Sequence, residues 1–462
     1  MNAILLLSAL SILTLFAGAF NMKKLALPLI FIGLIGAFVL NLGEWNVSDN
    51  YFYNKMLLFD HYAVAFSGLL TILTLFIFFL CHQYYKTENA SIADIYGLLI
   101  FVLIGGIIMA SYSNLTMLFI GIEILSISLY ILAGSRRLSL RSNEASIKYF
   151  LMGSFATGFL LFGIALVYGE THSFHLDVIR QYVELQRGNL SLKFTTGIIM
   201  MLIGLSFKVS VFPFHFWAPD VYEGSPTLVT IFMATVVKTA GFAALYRLFV
   251  ICFDNTPLPD AWLNIVWGMA ALTMTVGNFS ALYQKGAKRM LAFSSVSNAG
   301  YLMIGVLAMN HYFSANAIFY YTAVYSLATI AAFGVLMLVE KERGSNEFSA
   351  FRGLSTHNPF LAGVLVISML SLAGIPPLAG FFSKYYIFYA AIQRGYIWIV
   401  VIAIINSLIG IYYYFRLMIS AFAKEPDMEK IPEEFSYKAA LLLICLLIIA
   451  LGVYPAVMSG LI

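Results

Sequence analysis

Cysteine and charge are both scarce in this chain. Only 10% of its 462 residues are charged and only three are cysteine, while 61% are hydrophobic. With a mean hydropathy of +0.89, that balance excludes an ordinary soluble domain and makes the bilayer the natural solvent. Cys81, Cys252 and Cys445 are scattered through or beside apolar runs with no CxxC, which excludes an iron-sulfur cluster, a zinc site or a disulfide framework and leaves packing. No GxGxxG follows a strand and no GxxxxGK[ST] occurs, so no nucleotide site is recognisable. The chain is therefore expected to hold no cofactor and no metal. Its net charge of +4 reflects connections between apolar runs and carries no nucleic-acid message.

What is present is a series of long apolar runs. A helix needs about 20 apolar residues to cross roughly 30 Å of hydrocarbon. About fourteen runs meet that requirement, from 3–20 to 437–460. They are continuously apolar, so an all-α membrane protein is expected and a β-barrel, with its short alternating segments, is not. The first run lacks a basic leader; Lys23 and Lys24 follow it, so it reads as a retained span rather than a signal peptide. Fifteen Lys and Arg fall on connections of one side, against Lys55, Arg180, Arg187, Lys193 and Arg394 on the other. The positive-inside rule then places both termini on the outer side.

Internal repetition organises the runs. Three N-terminal helices (1–90) precede two units of five helices, 91–250 and 258–422, and a loop with a last helix (423–462) follows. An odd number of crossings per unit forces the two into opposite orientations. Each unit has its longest connection (169–193 and 340–358) just before its fourth helix, and each fourth helix is interrupted by proline. Pro213 leaves the carbonyl of Val209 without its helical donor; Pro376 and Pro377 do the same to Leu372 and Ala373. Broken helices at matching places in inverted repeats point to an ion pathway, because unwound backbone survives in lipid only beside protein or water.

Ionisable residues inside the runs cost at least about 2.5 kcal/mol each at a helix centre, which marks them as functional candidates. Glu123 lies mid-span in the fifth run, Lys208 beside the first break, Lys238 mid-span in the eighth run, and Lys384 one turn beyond Gly380 of the second break. Desolvation brings an ammonium from about 10.4 toward neutrality, and a nearby carboxylate reverses that, so such groups suit a proton relay. As the only deep acid of the first unit, Glu123 is expected to pair with Lys208. Lys148 stands one turn after Glu144 on the same face, so it is either a snorkelling ion pair or a further relay member. His215, two residues past Pro213, could extend the relay or hydrogen-bond the broken helix. Arg416 is a weaker case, and Arg247 is expected to snorkel at the outer end of its span.

Residues 205–227 (LSFKVSVFPFHFWAPDVYEGSPT) and 285–301 (KGAKRMLAFSSVSNAGY) resemble the antiporter-like proton-translocating subunits of respiratory complex I and of multisubunit cation/proton antiporters. Residues 144–150 (EASIKYF) and 121–130 (GIEILSISLY) are similar to the subunit N branch, the counterpart of mitochondrial subunit 2. The resemblance covers essentially the whole chain. Lys384 fits that branch, since subunit M has glutamate there, and the absence of a long C-terminal extension separates it from subunit L. The resemblance implies a membrane subunit of NADH-quinone oxidoreductase that couples electron transfer in partner subunits to proton transport through Glu123, Lys208, Lys238 and Lys384, with Lys148 matching a sixth-helix lysine of the same branch. It also implies that FMN, iron-sulfur clusters, NADH and quinone belong to partner subunits, that other membrane subunits link this chain to the hydrophilic redox arm, and that the complex sits in a bacterial inner membrane. A subunit of a multisubunit Na+/H+ antiporter shares the fold and most of the lysines and is the alternative.

Overall fold

In hydrocarbon every backbone N–H and C=O must be satisfied within its own segment or by protein, so the apolar runs have little choice but to be helical. The computed structural model describes residues 1–20, 23–47, 51–85, 92–186, 189–253, 260–309, 313–425 and 429–458. The chain opens with α1 (Asn2–Ala19) and α2 (Lys23–Gly43), followed by an antiparallel hairpin of β1 (Tyr51–Phe52) and β2 (Leu57–Leu58), then α3 (His61–Tyr85).

The first repeat contains α4 (Ile92–Ser111), α5 (Leu115–Ala133), α6 (Leu140–Thr171), the short α7 (Leu176–Gln186), the broken pair α8 (Leu192–Val209) and α9 (Trp217–Gly224), and α10 (Thr227–Phe232). A π-helical turn, Met233–Val237, joins α10 to α11 (Lys238–Phe253). The second repeat contains α12 (Asp260–Leu282), α13 (Ala287–Leu307), α14 (Ser314–Arg343), the one-turn α15 (Leu354–His357), the broken pair α16 (Pro359–Ala373) and α17 (Ala379–Gln393), and α18 (Ile397–Phe422); α19 (Phe435–Val453) comes last. Among the described residues 13 helical stretches are long and apolar enough to cross a membrane, and α16 with α17 adds the interrupted crossing.

Burial separates the bundle into a centre and a rim. The apolar windows of Thr227–Phe253 and Ser314–Arg343 are fully buried, whereas those of α1, α2 and α6 are only 33% buried. Rim helices show Phe150, Phe155 and Phe162 of α6 and Ile32 of α2 outward, as suits a lipid or subunit surface. Charged groups at the centre are therefore shielded from lipid and from bulk water.

Both breaks follow from local chemistry. α8 stops at Ser210, whose φ is 61°, and α16 stops at Gly374, whose φ is 83°. The unwound backbone is partly satisfied again: Phe212 N donates to Thr273 Oγ1 of α12 (2.9 Å), and Trp217 Nε1 donates to the Phe207 carbonyl (2.9 Å). In the second break the return of the chain is so close that a Cβ on Gly380 would stand 1.7 Å from the Ser371 carbonyl oxygen. Only glycine permits that approach.

Several expectations change. The 169–193 connection contains α7, whose Leu176, Ile179 and Val183 are buried at helical spacing; eleven residues with a polar face do not stand out as an apolar run. Arg247 does not snorkel. It is 3% exposed, with Nε donating to the Tyr112 carbonyl (2.8 Å) and Nη1 paired with Asp60 (3.0 Å), because the hairpin covers its end of α11. Lys288, assigned to a connection, lies in the first turn of α13 and is 1% exposed. Lys86 and Arg187, used for orientation, lie outside the described residues, as do the side chains of Lys23 and Lys24. All three cysteines are buried and free.

Candidate functional site

Lys208, Lys238 and Lys384 lie inside the bundle, each held by neutral oxygen atoms. Lys208, in the last turn of α8, is 5% exposed. Its Nζ donates to Ser126 Oγ of α5 (2.8 Å) and to Tyr149 Oη of α6 (3.4 Å), and lies 5.7 Å from the centre of the Tyr149 ring. Tyr149 is itself stacked on Trp217 of α9, at 4.6 Å and 11°, so both halves of the broken helix position this lysine.

The expected ion pair between Lys208 and Glu123 is not made among the described residues. Ser126, one turn along α5 from Glu123, faces the ammonium instead, while Glu123 is half-buried toward the rim and acts on Lys208 only through space. Sequence could set the two residues in neighbouring spans. Which face of α5 meets α8 depends on helix packing.

Lys238 is the first residue after the π-helical turn in the fully buried α10–α11 stretch, and its Nζ donates to the carbonyl (2.6 Å) and Oγ (2.5 Å) of Ser295 on α13. A π turn displaces the following side chains from their regular helical positions, and such turns recur at functional sites. Lys384 of α17 donates to the Ala373 carbonyl (2.9 Å) and to Ser407 Oγ of α18 (2.7 Å), with the Tyr301 ring centre 5.1 Å away. Pro377 has no N–H to offer Ala373, so the carbonyl freed by the break is the one that receives the lysine. Among the described residues none of these three ammonium groups has a carboxylate ion-pair partner.

Hydroxyls and amides run between Lys238 and Lys384. Tyr321 Oη donates to Asn298 Oδ1 (2.6 Å), Asn298 Nδ2 donates to the Ser294 carbonyl (2.8 Å), and Ser294 Oγ meets Tyr414 Oη at 2.5 Å. A cavity of about 10 Å³ lined by Asn298, Tyr321, Tyr325, Ser371, Ser383 and Lys384 has room for about one water. Sequence reading did not single out these connecting residues. Their signal is a one-turn spacing, Ser294 to Asn298 on α13 and Tyr321 to Tyr325 on α14, but hydroxyls and phenols are too frequent in these spans for spacing to select them.

The remaining candidates divide. Lys148 is paired with Glu144 (2.7 Å) and also with Asp220 (2.9 Å), which Arg289 shares (2.9 Å). With Arg141 and Glu223 they line an open cleft of about 250 Å³, so Lys148 belongs to a surface cluster rather than to the buried series. His215 is 2% exposed, and its Nδ1 has no partner among the described residues. Ser206 and Ser210 hydroxyls are equally unsatisfied at that break, as is Ser371 at the second. Buried polar atoms without protein partners are places for water. Arg416 donates to the carbonyls of Leu282 (3.1 Å) and Gln284 (3.2 Å), capping α12, which is a structural task.

Inverted five-helix units, each with an interrupted helix and a buried lysine beside it, define a membrane ion-translocating subunit. Residues 112–410 match the family described as NADH:quinone oxidoreductase/Mrp antiporter. NADH-quinone oxidoreductase subunit N of Flavobacterium johnsoniae is 41% identical, with 100% of both chains covered. A chain of respiratory complex I from Thermus thermophilus, solved with bound aureothin, superposes with a TM-score of 0.84 at 32% identity, covering 99% of each chain. A chain of the Mrp complex from a Dietzia species reaches 0.88 over 99% of this chain and 95% of that one, but at 20% identity it is a likeness of fold alone. The protein belongs to the NADH-quinone oxidoreductase subunit N family.

Proposed function

We propose that this complex I subunit carries protons across a bacterial inner membrane along Glu123, Lys208, Lys238 and Lys384, with residues 91–250 and 258–422 as two half-paths and both termini outward. The observation that carries the reading is that three deeply buried lysines are each held only by hydroxyl and carbonyl oxygens. A lysine so placed takes or gives a proton with modest changes in hydration or neighbouring charge. The hydroxyl and amide residues between Lys238 and Lys384, with room for a water, support passage from one repeat to the other. His215 extends the path at the first break, and Lys148, in its open cleft of ion pairs, serves the inner mouth.

Moving one charge against 100 mV takes roughly 2.3 kcal/mol. The chain carries no recognisable nucleotide motif, so that energy comes from NADH oxidation and quinone reduction at FMN and iron-sulfur centres in partner subunits. Glu123, a half-buried acid within an apolar span, is costly against lipid and supports a neighbouring membrane subunit over that part of α5. A multisubunit Na+/H+ antiporter shares the architecture, but full-length identity of 41% to subunit N favours the oxidoreductase.

The test is NADH-driven proton uptake by the purified complex in proteoliposomes. Lys208→Ala, Lys238→Ala and Lys384→Ala complexes should assemble, keep NADH oxidation by an artificial acceptor and lose pumping. Pumping at the unsubstituted rate in all three overturns the reading.

A further inference from the structure

Besides the approach through Lys208, Lys238 has a second route to the inner side, along its own helix. Its helix begins at Thr227, just after Ser225, roughly 20 Å away along the helix at 1.5 Å per residue. At that end a second buried lysine is found. Lys288 Nζ donates to the Ser225 carbonyl (2.7 Å) and stands 3.9 Å from Glu340 Oε1 on α14.

The two charged groups differ in access. The Lys288 side chain is 2% exposed, whereas that of Glu340 is 23% exposed. Thr227 Oγ1 donates to the other Glu340 oxygen, and Asn346 Nδ2 donates to Oε1 (3.4 Å). The acid is therefore held in place at the water boundary while the base lies one step inside. A tight structural clamp would instead bring ammonium and carboxylate into contact.

Hydroxyls lead inward from there. Ser225 Oγ is buried and has no partner among the described residues. Tyr222, one turn earlier on α9, neighbours the Ser295 hydroxyl, which accepts from Lys238.

We propose that Glu340 and Lys288 form the intake through which Lys238 receives protons from the inner face. The Glu340 carboxylate takes a proton from inner water and gives it to the neutral amine of Lys288. The ammonium, hydrogen-bonded to the Ser225 carbonyl, gives one through bridging water to the unpartnered Ser225 hydroxyl, which releases its own through bridging water to the phenol of Tyr222. Tyr222 in turn protonates the Ser295 hydroxyl as that hydroxyl gives its proton to Lys238. Each intermediate gains one proton and loses one and so returns to its starting form, with Glu340 a carboxylate and Lys288 a neutral amine; the net change is one proton taken from inner water and gained by Lys238. The inference rests on the relay and orientation proposed above.

Glu340→Gln and Lys288→Arg test it in the purified complex, because the first keeps the shape and the second keeps the charge, and neither exchanges a proton readily. Expected are complexes of normal size and normal NADH oxidation by an artificial acceptor, with proton uptake per NADH lower by about tenfold or more. Glu340→Asp should restore pumping. Lys238→Ala separates the two levels of the argument. If it pumps normally, the relay itself fails. If it does not pump while Glu340→Gln and Lys288→Arg do, the intake alone is wrong. Loss of assembly in both Glu340→Gln and Lys288→Arg also overturns the proposal, by making the pair a structural clamp.

Discussion

The two breaks look alike in sequence and differ in what they do for their lysines. At the first, Lys208 precedes the break and is held by side chains of other helices, Ser126 and Tyr149. At the second, Lys384 follows the break and is held by the break's own backbone, through Ala373, together with Ser407. One lysine depends on how neighbouring helices pack; the other depends on the broken helix. Inverted repetition thus preserves the backbone device without preserving the chemistry attached to it.

The largest effect should follow removal of the charge that the second break holds. Lys384→Met leaves the Ala373 carbonyl without its buried donor, and NADH-driven proton uptake should fall by about tenfold or more. Unchanged uptake in proteoliposomes would break the comparison at its functional end. Gly380→Ala comes next, since its methyl would overlap the Ser371 carbonyl; thermal unfolding of the complex should show a loss of about 2 to 3 kcal/mol.

The caps sharpen the contrast further. Gly374→Ala puts a side chain at a φ of 83° and against the stem of Lys384, and should cost about 1 to 2 kcal/mol by the same measurement. Ser210→Gly relieves a left-handed serine at the equivalent place and should stabilise by up to about 1 kcal/mol. Equal signs for the two would mean that the breaks are not equivalent even as backbone. The smallest effects belong to the hydroxyls. Ser407→Ala and Ser126→Ala each remove one neutral hydrogen bond worth about 1 kcal/mol. Proton uptake should fall less for Ser126→Ala, because the Tyr149 hydroxyl remains for Lys208.

Legibility of the site followed contrast. Lys208, Lys238 and Lys384 stand out because each interrupts an apolar run, and proline marks the two breaks in the same way. Lys288 was hidden by its neighbours: in Lys285-Gly-Ala-Lys-Arg289 it reads as one more loop cation, and only the close approach of Ser225 and α14 buries it. Ser126 and Ser407 gave no signal at all. A serine in a membrane span is ordinary until a lysine from another helix lies within 3 Å of it.

By itself the sequence determined the number and length of most crossings, the doubling into inverted units, the places where two helices break and three of the buried bases, Lys208, Lys238 and Lys384. These depend on hydrophobicity, chain parity and the missing N–H of proline, all of which are local or additive along the chain. Only the tertiary structure decided which oxygen faces each ammonium: that Ser126 rather than Glu123 meets Lys208, that Lys384 takes the Ala373 carbonyl, and that Lys288 is buried beside Glu340. Those choices depend on the rotation of each helix about its axis. A turn of 100° per residue leaves hydropathy unchanged and replaces one partner with another.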